Sequence, residues 1–149
     1  LGIIFDADSS CEVRWSQVRA NSPISVRAKL PVSAPAEGLV VDAGEGRRFG
    51  AWLMPDNQAV GMMETFLKHL RPGLNSDLHE HTRNAMRTAR GLGAPWKELH
   101  ADKAEIHTWL TWQDPPGQRL HGALMRSILD ATSKNARPFI AWFRNLYGL

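Results

Sequence analysis

The sequence predicts an α/β fold: a small mixed sheet carrying a β-hairpin, with a helical C-terminal half packed on it. Three observations predict it. An apolar run from Leu1 to Phe5 ends in "DADSS" and passes into a helical pattern. Two further apolar runs flank the Gly-rich "AGEGRR". From Met63 onward, apolar residues recur at helical spacing.

Taken in order, Leu1 to Phe5 is bounded by turn formers and reads as a buried strand, and Ser9 with Glu12 reads as a capping box. Cys11, Trp15 and Val18 then fall on one face of a helix from about Ser10 to Ala20. Asn21 to Gly38 carries Pro23, Pro31 and Pro35, which predicts an irregular connection with an extended piece near Ile24 to Leu30. Leu39 to Asp42 and Phe49 to Met54 read as the hairpin strands, the second ended by Pro55. Met63, Phe66, Leu67 and Leu70 form a helical stripe that stops before Pro72-Gly73. Ser76 or Asp77 caps the next helix, whose apolar side is Leu78, Ala85 and Ala89, and which ends at Gly91. Asp102 and Glu105 read as a capping box ahead of Ile106, Trp109 and Leu110, and Pro115-Pro116-Gly117 closes that segment. Ala136, Phe139, Ile140, Phe143 and Leu146 mark a last amphipathic helix.

With 149 residues, 43% hydrophobic and 22% charged, the composition predicts one globular domain over 1–149 and excludes a disordered chain. Eighteen basic against fifteen acidic residues leave a formal charge of +3, which permits an anionic partner without demanding one. A single cysteine excludes an intrachain disulfide and a cysteine-rich zinc site, and fits a reducing compartment. No apolar stretch approaches membrane-spanning length and no signal peptide precedes the first strand, so no membrane partner is expected and the cytoplasm is the simplest address. The chain opens on Leu1 inside a strand, which reads as a fragment, a processed product or an incomplete chain.

Asp6 and Asp8 are the first chemical candidates. They lie where a strand ends, the edge at which open α/β sheets bind ligands, and i, i+2 side chains share one side of a strand. Hard divalent cations such as Mg²⁺ take one or two carboxylates and keep waters for the substrate. Loop acids that cap the next helix are the plain alternative. In "WLMPDNQAVGMMETF", Asp56 repeats the strand-end position, with a helix cap as its alternative, and Glu64 borders the apolar stripe as a candidate acid. Arg83, Arg87 and Arg90 recur at helical spacing as a stripe able to track phosphates, or as solvated surface. His79 and His81, two apart on a helix, point too far apart to share an ion. His107 reads as a core or interface histidine and Cys11 as a small buried hydrophobe.

On these residues the chain resembles the Toprim superfamily, the metal-binding domain shared by topoisomerases, bacterial primases and overcoming-lysogenization-defect nucleases. More narrowly, "IIFDAD", "WLMPDNQAVGMMETF" and "AEIHTWLTWQDPPGQRL" look like a prokaryotic family with a Toprim-like fold. The resemblance implies that Asp6 and Asp8 bind Mg²⁺ or Mn²⁺ beside a glutamate from an earlier strand. That glutamate has no counterpart here: either its segment lies upstream of Leu1, in a domain lacking its N-terminal strand and helix, or it was never there. The implied function is Mg²⁺-dependent, nuclease-like phosphoryl transfer, with Asp56 or Glu64 assisting. The alternative is an inactive Toprim-like module that binds nucleic acid or a protein. An opening like "FDADSS" also occurs in haloacid-dehalogenase-like phosphatases, but no later paired-acid strand end follows Met54. Metal-dependent glycosyltransferases share a D-x-D motif on much longer chains.

Overall fold

The computed structural model describes residues 1–73 and 76–149. In chain order the elements are β1 (Gly2–Asp6), α1 (Cys11–Asn21), α2 (Ile24–Arg27), β2 (Leu39–Gly44), β3 (Arg47–Met54), α3 (Met63–Lys68), α4 (Asp77–Gly91), α5 (Ala101–Leu110), α6 (Leu120–Met125) and α7 (Arg137–Tyr147), with a 3₁₀ turn at Glu98–His100. They divide between two compact units: Leu1–Phe66 with Lys134–Leu149, and Leu67–Ser133.

The first unit holds the α/β core, a small mixed sheet of order β1-β3-β2. β1 pairs parallel with β3, and β2 pairs antiparallel with it. The hairpin turns on Glu45 (φ 54°) and Gly46 (φ 71°), the two positive dihedrals that a two-residue turn matching the strand twist requires. β3 is central and buried on both faces from Phe49 to Met54. Its alternation sends Phe49, Ala51 and Leu53 into a core with Trp15, Val18, Val26, Leu30 and Leu39. The opposite face meets α7, whose Trp142 and Leu146 are buried and whose Phe139 packs edge-on against Trp52, ring centroids 5.4 Å apart.

Three local expectations are corrected in this unit. The N-cap of α1 is Ser10, whose hydroxyl accepts from Val13 N at 3.2 Å, one residue later than the Ser9–Glu12 box. The extended piece near Ile24 is the helix α2: Pro23, with no amide to lose, starts it. On α7 the buried aromatic is Trp142 while Phe143 is exposed, because Trp142 donates its indole N–H to Leu39 O at 2.8 Å.

The second unit is helical among its described residues. α4 buries His79 and Thr82 rather than Leu78, and the His79 ring packs against Trp109, centroids 5.7 Å apart. α5 buries Ile106, Trp109 and Leu110 as expected and exposes His107, which corrects its reading as a core histidine. α5 begins at Ala101, so Asp102 and Glu105 lie inside it and form ion pairs instead of a capping box. No helix among the described residues is long and apolar enough to cross a membrane.

Candidate functional site

The parallel register places Asp6 beside Met54, so the C-terminal ends of β1 and β3 lie together. Asp6 is the last strand residue. Its Oδ1 accepts from Met63 N at 2.8 Å, tying the end of β1 to the start of α3. Ala7 is buried and donates to Met54 O at 3.1 Å, which continues the pairing. Asp8 then enters the left-handed region at φ 53°, a conformation that Asp tolerates better than most residues, and its backbone exchanges two bonds with Gly61 at 2.7 and 2.9 Å. The strand alternation therefore does not extend to Asp8.

Asp8 instead meets a residue that sequence periodicity did not single out. Arg14, on the second turn of α1, pairs through Nη2 with Asp8 Oδ2, donates from Nε to Asp6 O at 2.9 Å and from Nη1 to Gln17 Oε1 at 2.9 Å. One guanidinium spans both acidic positions. A cavity of about 140 Å³ lined by Asp8, Ser9, Ser10 and Arg14 opens there. The only sequence signal for Arg14 was a basic residue in the first helix after the two acids, a pattern too common to stand out.

Asp56 follows β3 and caps its own turn: Oδ1 accepts from Gln58 N at 3.0 Å and from Ala59 N at 2.7 Å. Buried Asn57, at φ 67°, locks the same turn by accepting from Leu53 N at 2.8 Å and donating to Ala36 O at 3.2 Å. Glu64 is buried on the first turn of α3. Cys11 donates to Gln58 O at 3.3 Å and Ala59 O at 3.1 Å. Burial first, then the negative charges of Asp56 and Glu12, push its thiol above the ordinary value. Asp56→Asn keeps an acceptor for both amides and removes the charge. Its expected result is a melting temperature within about 1 °C of the parent and faster alkylation of Cys11 by iodoacetamide at about pH 8, since more thiolate is then present. An unchanged alkylation rate would show that Cys11 does not feel the Asp56 charge.

Arg83, Arg87 and Arg90 belong to the second unit, on α4. They share a groove with Met86, Trp96 and Glu98. Arg87 donates to Asn84 Oδ1, a neutral partner. Arg90 is more heavily engaged: Nη1 lies 3.2 Å from Glu98 Oε2 and donates to Trp96 O at 3.1 Å, while Cζ lies 4.3 Å from the Trp96 ring centroid. The stripe thus contains two arginines that form no ion pair among the described residues and one that anchors Trp96.

Asp6, Asp8 and Asp56 lie at one sheet edge, yet among the described residues no three His, Cys, Asp or Glu side chains converge into a group able to hold a metal ion. Mg²⁺ is ordinarily held by one or two carboxylates with waters; Asp6 and Asp8 offer oxygens of that kind, with Asp6 Oδ1 accepting from the Met63 amide and Asp8 Oδ2 paired with Arg14. His79 and His81 pack on different rings, Trp109 and Trp112, in keeping with their divergence on the helix.

The family described as protein of unknown function (DUF3226) matches residues 1–148. No curated protein and no solved structure matches the chain.

Proposed function

The chain belongs to the DUF3226 family, and we propose, from the resemblance of its motifs and with the support of its sheet-edge geometry, that it is a Toprim-like, Mg²⁺-dependent phosphoryl-transfer module of nuclease type. The observation that carries this reading is the juxtaposition at one sheet edge: Asp6 ends β1 next to the end of the parallel strand β3, and Asp8 follows within two residues. Ligands of open α/β sheets collect at such an edge. One carboxylate oxygen of Asp6 is fixed by the Met63 amide, and Arg14 holds Asp8 in place. Mg²⁺ or Mn²⁺ held by these two carboxylates supplies charge neutralisation at a phosphoryl oxygen. Asp56 keeps its turn folded, which makes it a positioning residue, and Glu64 is a buried acid on the adjoining helix.

A second reading is an inactive Toprim-like module that binds nucleic acid or a protein. It is favoured by one observation, that the cation facing Asp8 is already the Arg14 guanidinium. Where either reading engages nucleic acid, the contact falls on Arg83 and Arg87, with Arg90 as their neighbour.

The test is a melting series in Mg²⁺ and Mn²⁺. At about a hundred times Kd, linkage adds about 2.7 kcal/mol. For a chain of this size that raises Tm by roughly 5–10 °C. Asp6→Asn combined with Asp8→Asn should abolish the rise. An equal rise in that double variant overturns the site. Metal-dependent cleavage of an oligonucleotide by the parent, absent in the double variant, selects the enzyme; a metal response with binding and no cleavage selects the inactive module.

A further inference from the structure

We infer that the groove on α4 is a single-stranded nucleic-acid site in which an unpaired base stacks on Trp96 while Arg83 and Arg87 hold its phosphates. The inference rests on the reading of this arginine face as a phosphate contact and names the form of nucleic acid it takes.

Charge is the first argument. The acids of the groove are compensated locally: Glu98 pairs with Arg90 at 3.2 Å, and Glu105 pairs with Arg71 at 2.7 Å and Lys68 at 3.3 Å. Arg83 and Arg87, one helical turn apart, are left as a positive pair that makes no ion pair among the described residues, although Glu98 and Glu105 line the same groove. Residues four apart on a helix lie about 5–6 Å from each other at Cβ, and long guanidinium arms from such positions can reach successive phosphates.

Trp96 is the second argument. Arg90 holds it twice, donating to its backbone carbonyl and lying over one face of its ring, so a base would take the opposite face. The indole is half-buried and held at the groove wall before any ligand arrives. Holding it in advance removes the ordering cost that a mobile ring would add to binding. Met86 supplies an apolar surface between the charged residues. The groove measures about 410 Å³, within the range of pockets that take one nucleotide-sized group.

Stacking decides the form of the ligand. A base inside a duplex has both faces covered by its neighbours, whereas every unpaired base offers a π-face to an aromatic side chain, whatever its sequence. An acidic peptide would satisfy the arginines and leave the ring unused.

The experiment is fluorescence anisotropy of the full chain in EDTA, so that no strand is cut, with three probes: an oligothymidylate of about a dozen nucleotides, a duplex of equal length and an oligoglutamate. The expected result is salt-dependent binding with the single strand preferred. Arg83→Gln with Arg87→Gln should weaken both nucleic acids and lower the salt slope by about two. Trp96→Ala should weaken the single strand at least about fivefold and leave the duplex unchanged, and Trp96→Phe, which keeps a ring, should restore most of the loss. Parent-like single-strand binding by Trp96→Ala, or equal affinity for all three probes, overturns the stacking site while leaving the arginine contact standing. Absence of binding to any nucleic acid overturns both.

Discussion

Gly38→Ala should lower the melting temperature of the protein by roughly 10 °C. Gly38 sits at φ +79°, and a methyl built there meets Trp142 Cδ1 at 2.5 Å, Trp52 Cε3 at 2.7 Å and Trp142 Cγ at 2.9 Å. The left-handed backbone costs a non-glycine residue about 1–2 kcal/mol, and overpacking a filled core adds about 1–3 kcal/mol. Neither indole can retreat easily. Trp142 is tethered by its N–H to Leu39 O at 2.8 Å, and Trp52 is wedged between Phe139 and Trp142 at 5.4 and 5.6 Å. About 3 kcal/mol in a chain near 150 residues corresponds to the stated fall at about 2–4 °C per kcal/mol. Gly46→Ala is the control. It has a similar dihedral, φ +71°, with open space around the added methyl, so its cost is the backbone term alone. Thermal denaturation followed by circular dichroism reads both variants. If they melt together, the two indoles do not crowd Gly38 and the packing described for this face is wrong.

That same face shows which parts of the fold were legible beforehand. The sheet was readable because its signals are local: an alternation of period two, a Gly-rich turn and a proline after the second strand. The helix α7 was readable as an element, but the reading followed Phe143 and passed over Trp142, because an aromatic ring looks equally apolar at either position. Only the carbonyl of Leu39, more than a hundred residues away in sequence, selects the tryptophan. Asp6 and Asp8 were readable as strand-end acids, whereas Arg14 was not, since its role depends on how α1 turns back across the strand end. The strand rule also failed at Asp8 for a local reason: the backbone leaves the extended region at Asp8 itself. Asp102 and Glu105 carried the spacing of a capping box and serve as ion-pair acceptors. Spacing alone cannot distinguish the two, because both uses want an acid on the first turns of a helix.

Those ion pairs carry the other large expected effect, in the helical unit. Arg71, 5% exposed, and Glu105, 8% exposed, face each other at 2.7 Å. The guanidinium also donates from Nε to Lys68 O at 3.0 Å and lies 5.7 Å from the Trp109 ring centroid, while its Nη1 is buried without a hydrogen-bond partner among the described residues. Glu105 is the acid that compensates this charge. It has a second cation, Lys68, at 3.3 Å, which itself pairs with Asp102. The two ends of the pair are therefore unequal. Glu105→Gln leaves a buried guanidinium facing a neutral amide and should cost about 3 kcal/mol, the range for breaking a buried pair from one side. Arg71→Met leaves Glu105 with Lys68 and replaces the guanidinium by an apolar chain that still covers Trp109, so its cost should be smaller, about 1–2 kcal/mol. Combining Arg71→Met with Glu105→Leu removes both charges and should cost less than Glu105→Gln alone, since no buried charge is then left uncompensated. Urea denaturation of the three variants gives the ordering. Equal losses for the two single variants, or a double variant that sums them, would mean that Arg71 draws its compensation from elsewhere and that Glu105 is only one of several acceptors around it.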